Sequence, residues 1–290
     1  MKCFKNVAIS KFSYIKVGGI VNKLYVAENE EDIKRILLYE KRVRIVGQAS
    51  KILFAFHHDN SSYIIDRNDY ILDKEDYIEI GSGTPLSKIG LYFENNSLSG
   101  FSKIRTIPGR LGGSIVQNAS CYDQCISDLL IDVRVIYNNK IIIKNKEELA
   151  FSYRNSIFKI IPYTILSARF IKIKKDVELL KKETEKVIQL RKEKQPINKL
   201  TLGSTFINFD GLIVSKILDD LHFKGFSLTS GVKVSDKHAN FLEIEKDCSY
   251  EQIMLLLHSL SGVLYKRMGV FFPLEIVIFR EDYFGSQNTI

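Results

Sequence analysis

Ile107-Pro108-Gly109-Arg110-Leu111-Gly112-Gly113-Ser114 is the stretch on which the fold reading turns. Three glycines and a proline in eight residues, running into Ile115-Val116, make a tight loop that enters a new element. Glycine lacks a Cβ and tolerates positive φ, so backbone N–H groups in such a loop can converge on a diphosphate; a plain turn has the same composition. Two other small-residue turns follow strands. Gly47 with Ser50 comes after Val43-Arg44-Ile45-Val46, and Gly81-Ser82-Gly83 after the alternating Tyr77-Ile78-Glu79-Ile80. Several such turns can jointly line one cofactor. None is followed by Gly-Lys-Ser/Thr, and none has Gly-x-Gly-x-x-Gly opening a helix after a strand, so the loops are neither a P-loop nor a Rossmann fingerprint.

Outward from these turns the chain alternates helix and strand. Leu24-Tyr25-Val26 is a short strand, Asn29 an N-cap with Asp32 three residues on, and Ile33, Ile36 and Leu37 repeat at helical spacing before the strand at Val43. This reads as a compact βαβ-like unit. Pro85 opens a helix through about Phe93. Leu130–Ile136 and Lys140–Ile143 read as strands joined by Asn138-Asn139, a dipeptide suited to a tight hairpin, and Tyr163–Ile173 as another. From Asp176 to Glu193 a Lys-rich segment carries an apolar stripe of Val177, Leu180, Val187 and Leu190, an exposed amphipathic helix that Pro196 stops. Beyond it a helix is expected over 212–221 and a strand over 240–244. A capping box, Ser249 with Gln252, then starts a helix that Gly269 ends, and a strand spans Leu274–Phe279.

The chain has 290 residues, 45% hydrophobic and 26% charged, a folding composition long enough for two cores. Lys and Arg number 42 against 34 Asp and Glu, a formal charge of +8. That surplus suits nucleic acid, an anionic membrane surface or small anionic ligands, or is a solvated lysine surface. No helix-turn-helix, zinc-finger or aromatic RNA-binding motif accompanies it, which sets nucleic acid aside. Met1-Lys2-Cys3-Phe4-Lys5-Asn6-Val7 lacks a signal-peptide apolar core, and no apolar run nears the ~20 residues of a membrane span. Four cysteines (Cys3, Cys121, Cys125, Cys248) are too few for a disulfide framework, and nothing completes Cys121 and Cys125 into a zinc site, so no metal is expected. They read as reduced cytosolic thiols.

Three further segments can carry chemistry. Phe151-Ser152-Tyr153-Arg154-Asn155-Ser156 is a polar-aromatic cluster with one guanidinium, and Leu202-Gly203-Ser204-Thr205-Phe206-Ile207-Asn208 sets a hydroxyl beside a glycine. Glu275 lies between Leu274 and Ile276 in an apolar stretch, where strict alternation would turn it to solvent. Taken singly, Arg154 also reads as a surface ion-pair residue and Ser204 as a turn hydroxyl.

In this order and spacing the segments resemble the UDP-N-acetylenolpyruvoylglucosamine reductase family of bacterial peptidoglycan precursor synthesis. The resemblance runs from Asn6 and Lys16-Val17-Gly18-Gly19 through the 107–113 loop, Asn118-Ala119 and Tyr122. It continues through Tyr153-Arg154-x-Ser156, Arg191…Lys194-Gln195-Pro196, Gly203-Ser204-x-Phe206-x-Asn208 and Val234–Phe241 to Leu274-Glu275-Ile276-Val277. No long insertion separates Arg154 from the strand at Thr164, which is similar to the shorter subtype lacking a tyrosine-bearing substrate loop.

The resemblance implies an α+β fold. An FAD-binding domain of the vanillyl-alcohol-oxidase (PCMH) type would span 1–175, in two subdomains of about 1–68 and 69–175. A connecting helix and linker over 176–196 and a smaller α+β substrate-binding domain over 197–290 would follow, with the active site between the domains. It implies an NADP-dependent flavoenzyme, with FAD and NADPH as cofactors, reducing UDP-N-acetylglucosamine enolpyruvate to UDP-N-acetylmuramate. It further implies a role in cell-wall biogenesis, cell shape and division, a cytoplasmic monomer, and no nucleic-acid or membrane partner. Arg154 and Glu275 would stabilise the developing negative charge and Ser204 would give the proton; a carboxyl in that role must be protonated by burial or act through water. Gly47, Gln48, Ala49, Ser50, Lys51, Ile107, Pro108, Gly109, Gly112, Gly113, Ser114 and Asn118 would bind the flavin, and Tyr153, Arg191, Lys194 and Asn208 the substrate.

Departures from the family pattern surround these groups. Gly47-Gln48-Ala49-Ser50-Lys51 replaces the usual Gly-x-Gly-Ser-Asn, Ser102 stands at a usual Glu, Thr106 and Ser120 at usual glycines, and Ile207 and Phe209 at a usual Lys and Pro. Two other readings share the residues: a different FAD oxidoreductase on the same fold, and a non-enzymatic descendant that binds a sugar nucleotide.

Overall fold

The computed structural model describes residues 1–281; the end of the expected 197–290 domain, residues 282–290, lies outside the described residues. In chain order the elements are β1 (Lys2–Ala8), β2 (Ile20–Ala27), α1 (Glu30–Tyr39), β3 (Val43–Val46), β4 (Ile52–Ala55), β5 (His58–Asp66), β6 (Ile71–Asp73), β7 (Tyr77–Gly81), α2 (Leu86–Asn95) and α3 (Leu111–Val116). There follow β8 (Ser120–Cys121), β9 (Gln124–Cys125), β10 (Leu130–Tyr137), β11 (Lys140–Asn145), β12 (Thr164–Ile171), α4 (Val177–Lys194), α5 (Val214–Asp220), β13 (Val232–Val234), β14 (Leu242–Ile244), α6 (Tyr250–Met268) and β15 (Val277–Arg280). Helices and largely antiparallel strands are interspersed, an α+β arrangement.

The chain forms two compact units that interleave in sequence. The first comprises Met1–Lys5, Lys23–Gln48 and Ser61–Gln189; the second comprises Asn6–Asn22, Ala49–Asn60 and the chain from Leu190. The linear domain scheme of the sequence reading has no such interleaving.

In the first unit a five-stranded antiparallel sheet runs β11-β10-β12-β7-β6. Alternation along its strands turns Ile78, Ile80, Val133, Val135, Ala168 and Phe170 into one core with Ile89 and Phe93 of α2 and Leu111 and Ile115 of α3. Phe93, Phe101 and Phe170 meet at centroid distances of 4.5 and 5.2 Å. Asn138 and Asn139 both take positive φ (48° and 60°), the conformation a two-residue hairpin requires. A second sheet runs β1-β2-β5-β3. Here the βαβ expectation needs correction: β3 pairs in parallel with β5, which lies between it and β2, so the unit spans a gap rather than joining neighbours. Asn29 caps α1 as expected, its Oδ1 accepting the Asp32 N–H at 2.9 Å. On α4 the face carrying Leu180, Thr184 and Val187 is buried, and the helix stops at Lys194, before Pro196.

The second unit is built around α6. Ile253, Leu256, Leu257, Leu260 and Leu264 are buried in one cluster with Leu53 of β4, Val232 and Val234 of β13, and Leu274, Ile276 and Ile278. Burying such side chains contributes roughly 1.5–3 kcal/mol each. The capping box is present in both directions, Ser249 N–H to Gln252 Oε1 at 2.8 Å and Gln252 N–H to Ser249 Oγ at 3.4 Å. β15 pairs in parallel with β4, and β13 with β14 as a hairpin. The expected strand over 274–279 begins only at Val277. The expected helix over 212–221 is shortened to Val214–Asp220, because the Asn208 side chain accepts the Val214 N–H at 3.0 Å and fixes the start there.

Candidate functional site

In the first unit the sequence-marked turns are laced together. Leu111 N–H donates to Thr84 O at 3.0 Å, Gly112 N–H to Ser82 O at 2.8 Å and Leu86 N–H to Gly109 O at 3.0 Å. The Gly81–Thr84 turn and the Gly109–Gly112 loop are thereby one scaffold. The donors on Leu111 and Gly112 are consumed in building it rather than pointing at a ligand. Gly83 is required sterically: a Cβ there would sit 2.4 Å from the Asn68 nitrogen. A Cβ on Gly113, by contrast, would meet nothing within 4 Å. Ser114 Oγ donates to Arg110 O at 2.9 Å, and the Arg110 guanidinium donates to Gly83 O. Asp66 is buried beneath the same turns, where burial pushes its carboxyl up. Ile107 and Pro108 lead into the loop; Gly47 lies against the Arg110 side chain, 3.3 Å from an added Cβ to Arg110 Cβ.

Asn118 has a φ of 41° and is buried. Its Nδ2 donates to Ser152 O at 2.9 Å, while Oδ1, like the Gln117 Oε1, is buried with no hydrogen-bond partner. Buried acceptors of this kind are costly unless a donor reaches them. Next to this point Tyr153 and Arg154 form the turn of a tight hairpin, with Ser152 N–H to Asn155 O at 3.2 Å and Asn155 N–H to Ser152 O at 3.1 Å. Arg154 takes φ 55°, and its Nη1 donates to Ser120 Oγ at 2.7 Å. Its guanidinium carbon lies 5.5 Å from the Tyr153 ring, which is exposed. Ser156 Oγ, buried, ties the hairpin to α3 through Val116 O at 2.7 Å.

Ser120 is the neighbour of a candidate residue that the sequence pattern does not mark. It entered only as a departure from a usual glycine, and nothing local in the sequence links it to Arg154, 34 positions away. Ser102 is similarly reinterpreted, since its Oγ donates to Glu183 Oε2 of α4 at 2.9 Å, bringing a carboxylate to a position where the family pattern has its own.

In the second unit three extended segments converge. Thr205 N–H donates to Asn240 O at 2.8 Å and Phe206 N–H to Asn240 Oδ1 at 2.9 Å. On the other side Glu275 N–H donates to Thr205 O and Ile207 N–H to Pro273 O, both at 2.8 Å. Ser204 and Glu275 are therefore brought together. Glu275 is 7% exposed with Leu274 and Ile276 each at 1%, so the outward-facing expectation for Glu275 is corrected: alternation fails because this stretch precedes β15 and is covered on both faces. Lys51 Nζ lies 2.9 Å from Glu275 Oε1 and donates to Ser204 O at 2.8 Å. Gly203 turns the chain at φ 72° directly before Ser204. Beyond Gln48, Ala49 is buried and takes φ 54°, a left-handed conformation that costs an L-residue about 1–2 kcal/mol and explains why glycine suits the position.

The remaining expected ligands lie around the same unit. Arg191 Nε donates to Gln195 Oε1 at 2.9 Å, and Lys194 is exposed at the end of α4, where both cations also complement the helix dipole. Asn208 is exposed with its carbonyl committed to capping α5. His238 packs on Phe241 at 4.6 Å between centroids, and burial lowers its imidazole. Burial also pushes the Cys125 thiol up and the Cys248 thiol up to about 11, so both are protonated at neutral pH. A groove of about 580 Å³ bordered by Lys192, Asn198, Lys199, Lys233 and Glu243 contains neither Ser204 nor Glu275.

The chain is similar to known proteins over nearly its whole length. Residues 195–279 match the family model described as the C-terminal domain of UDP-N-acetylenolpyruvoylglucosamine reductase. The reductase of that name from Caldanaerobacter subterraneus is 29% identical over 97% of this chain and 94% of its own. The one from Aquifex aeolicus is 28% identical over 95% of each. The crystal structure of the Thermus caldophilus reductase superposes with a TM-score of 0.83 at 22% identity, covering 96% of this chain and 98% of that one, which establishes the shared α+β fold. Two whole-length likenesses and a family match over the segment holding Ser204 and Glu275 lead to one conclusion: the chain resembles the UDP-N-acetylenolpyruvoylglucosamine reductases over nearly its whole length and is an oxidoreductase of that class.

Proposed function

We propose that the protein reduces the enolpyruvyl ether of UDP-N-acetylglucosamine to UDP-N-acetylmuramate in peptidoglycan precursor synthesis, as a cytoplasmic, monomeric enzyme using NADPH and FAD. The observation that carries this reading is the convergence of Ser204 and Glu275, a hydroxyl and a buried carboxyl joined through the Glu275 N–H to Thr205 O bond of 2.8 Å.

The residues fit a flavin. The buried, partnerless Asn118 Oδ1 and Gln117 Oε1 call for a donor, and the space over Gly113 admits a ligand. The scaffold of Ile107, Pro108, Gly109, Gly112, Gly113, Ser114 and Asn118 would hold it, together with the backbone of Gly47, Gln48, Ala49, Ser50 and Lys51. When bound there, FAD would supply the hydride, itself drawn from NADPH. Arg154, a permanent cation fixed by Ser120, faces the negative charge that develops on the carboxylate-bearing carbon. Ser204 gives the proton to that carbon, its weak acidity offset by placement and by the basicity of the enolate-like species. Glu275, ion-paired with Lys51 at 2.9 Å, would act in the charge-stabilising set through an intervening water. Tyr153, Arg191, Lys194 and the Asn208 amide nitrogen bind the sugar nucleotide, the cations matching its diphosphate.

An absorbance spectrum of the purified protein and an assay of NADPH oxidation with the enolpyruvyl sugar nucleotide test the reading. Flavin bands and substrate-dependent oxidation are expected. Flavin that is reduced by NADPH but not reoxidised by this substrate would assign a different substrate, and colourless protein that binds the sugar nucleotide would remove the enzyme reading.

A further inference from the structure

Lys51 departs in charge from the residue usual at its place in the family pattern, and the structure shows what the departure does. Its carbonyl accepts the Val277 N–H at 2.7 Å, at the point where β15 begins to pair with β4, so its backbone is anchored. From that anchor the side chain reaches Glu275 Oε1 at 2.9 Å and Ser204 O at 2.8 Å. The Glu275 side chain is 8% exposed and the Lys51 side chain 28%, so the pair is largely out of water. Gly203 leaves room for it: a Cβ there would lie 3.1 Å from Lys51 Nζ. A buried carboxylate without a cation is strongly unfavourable, and an unpaired anion beside the site of developing negative charge would oppose the reaction.

We propose that Lys51 is a positioning residue, its ammonium fixing the Glu275 carboxylate and the Ser204 turn as one body for the protonation end of the reduction. This rests on the reductase reading above. In this chain one cation, Lys51, spans three segments distant in sequence, those around 51, 204 and 275.

Lys51→Met keeps the aliphatic stem and removes the charge, and Lys51→Arg restores a cation. Two readouts are taken on the purified enzyme: the ¹³C carboxyl resonance of Glu275, identified as the signal lost in Glu275→Gln, and steady-state kinetics with the enolpyruvyl sugar nucleotide. Lys51→Met should move the resonance and lower kcat about 10- to 100-fold while KM changes less than about threefold, and Lys51→Arg should recover part of both. If Lys51→Met proves too unstable, the double variant Lys51→Met/Glu275→Gln, which removes both charges, should be more stable than Lys51→Met alone. An unmoved resonance, an unchanged kcat, a loss confined to KM or to flavin retention, or a double variant no more stable than the single overturns the proposal. A moved resonance in a protein whose wild type does not turn over the sugar nucleotide overturns the reductase reading, and the role in the reaction with it, but leaves the ion pair standing.

Discussion

Arg154 and Glu275 are charged side chains held in opposite ways. Arg154 sits on a hairpin turn closed by its own neighbours, Ser152 and Asn155, and one hydroxyl, Ser120 Oγ, orients its guanidinium. Glu275 lies in a stretch laced to two other segments, buried, and matched by the Lys51 ammonium. A turn holds its shape with few tertiary contacts, and a half-buried cation keeps part of its hydration. A buried carboxylate needs a built environment, so its position depends on the core of the whole second unit. The Arg154 side should therefore fail locally and the Glu275 side cooperatively.

The largest effect expected from testing that contrast is chemical. Ser204→Ala should lower kcat by about 10²–10⁴-fold while leaving the flavin spectrum in place, measured by stopped-flow reoxidation with the enolpyruvyl sugar nucleotide. Removal of a core side chain comes next. Leu257→Ala should destabilise by about 2–5 kcal/mol in denaturant titration. It should also raise hydrogen exchange at the Thr205 and Glu275 amides while leaving those of Ser152 and Asn155 unchanged; equal loosening of both sets would break the comparison. Leu255, half exposed on the same helix, is the control, and its Ala variant should lie within about 0.5 kcal/mol of wild type.

A smaller effect belongs to the Arg154 side. Ser120→Ala removes one hydrogen bond to a guanidinium and should cost about tenfold in kcat, with folding stability unchanged, and Ser120→Thr should restore most of it. The smallest concerns pH. Although burial opposes it, hydrogen bonds from Lys23, Tyr25 and Ser62 lower the Glu40 carboxyl from 4.5 to about 2. A depressed carboxyl contributes stability that is full above its unfolded value and is lost as pH falls from about 4.5 through about 2. Unfolding midpoints measured across that window should fall less steeply in Glu40→Gln than in wild type.

Much of the local structure could be read from residue order alone. The Asn29 cap, the Ser249–Gln252 box, the Asn138-Asn139 turn and the stop before Pro196 all depend on groups within a few residues of each other, where backbone sterics and short hydrogen bonds decide the outcome. The same is true of Arg154 on its turn and of Ser204 beside Gly203. The strand expected at Glu275 was misread because periodicity assumes one covered face, and this stretch is covered on both.

The amino-acid order determined the elements, the motifs and, through their spacing, the family resemblance. Only the tertiary structure decided that β5 would lie between β2 and β3, that 6–22 and 49–60 would join the chain from Leu190, that Ser120 would hold Arg154 and that Lys51 would meet Glu275. Those outcomes depend on pairings between residues far apart in the chain, and what selects them is the burial of apolar faces and the need to partner each charge that burial removes from water.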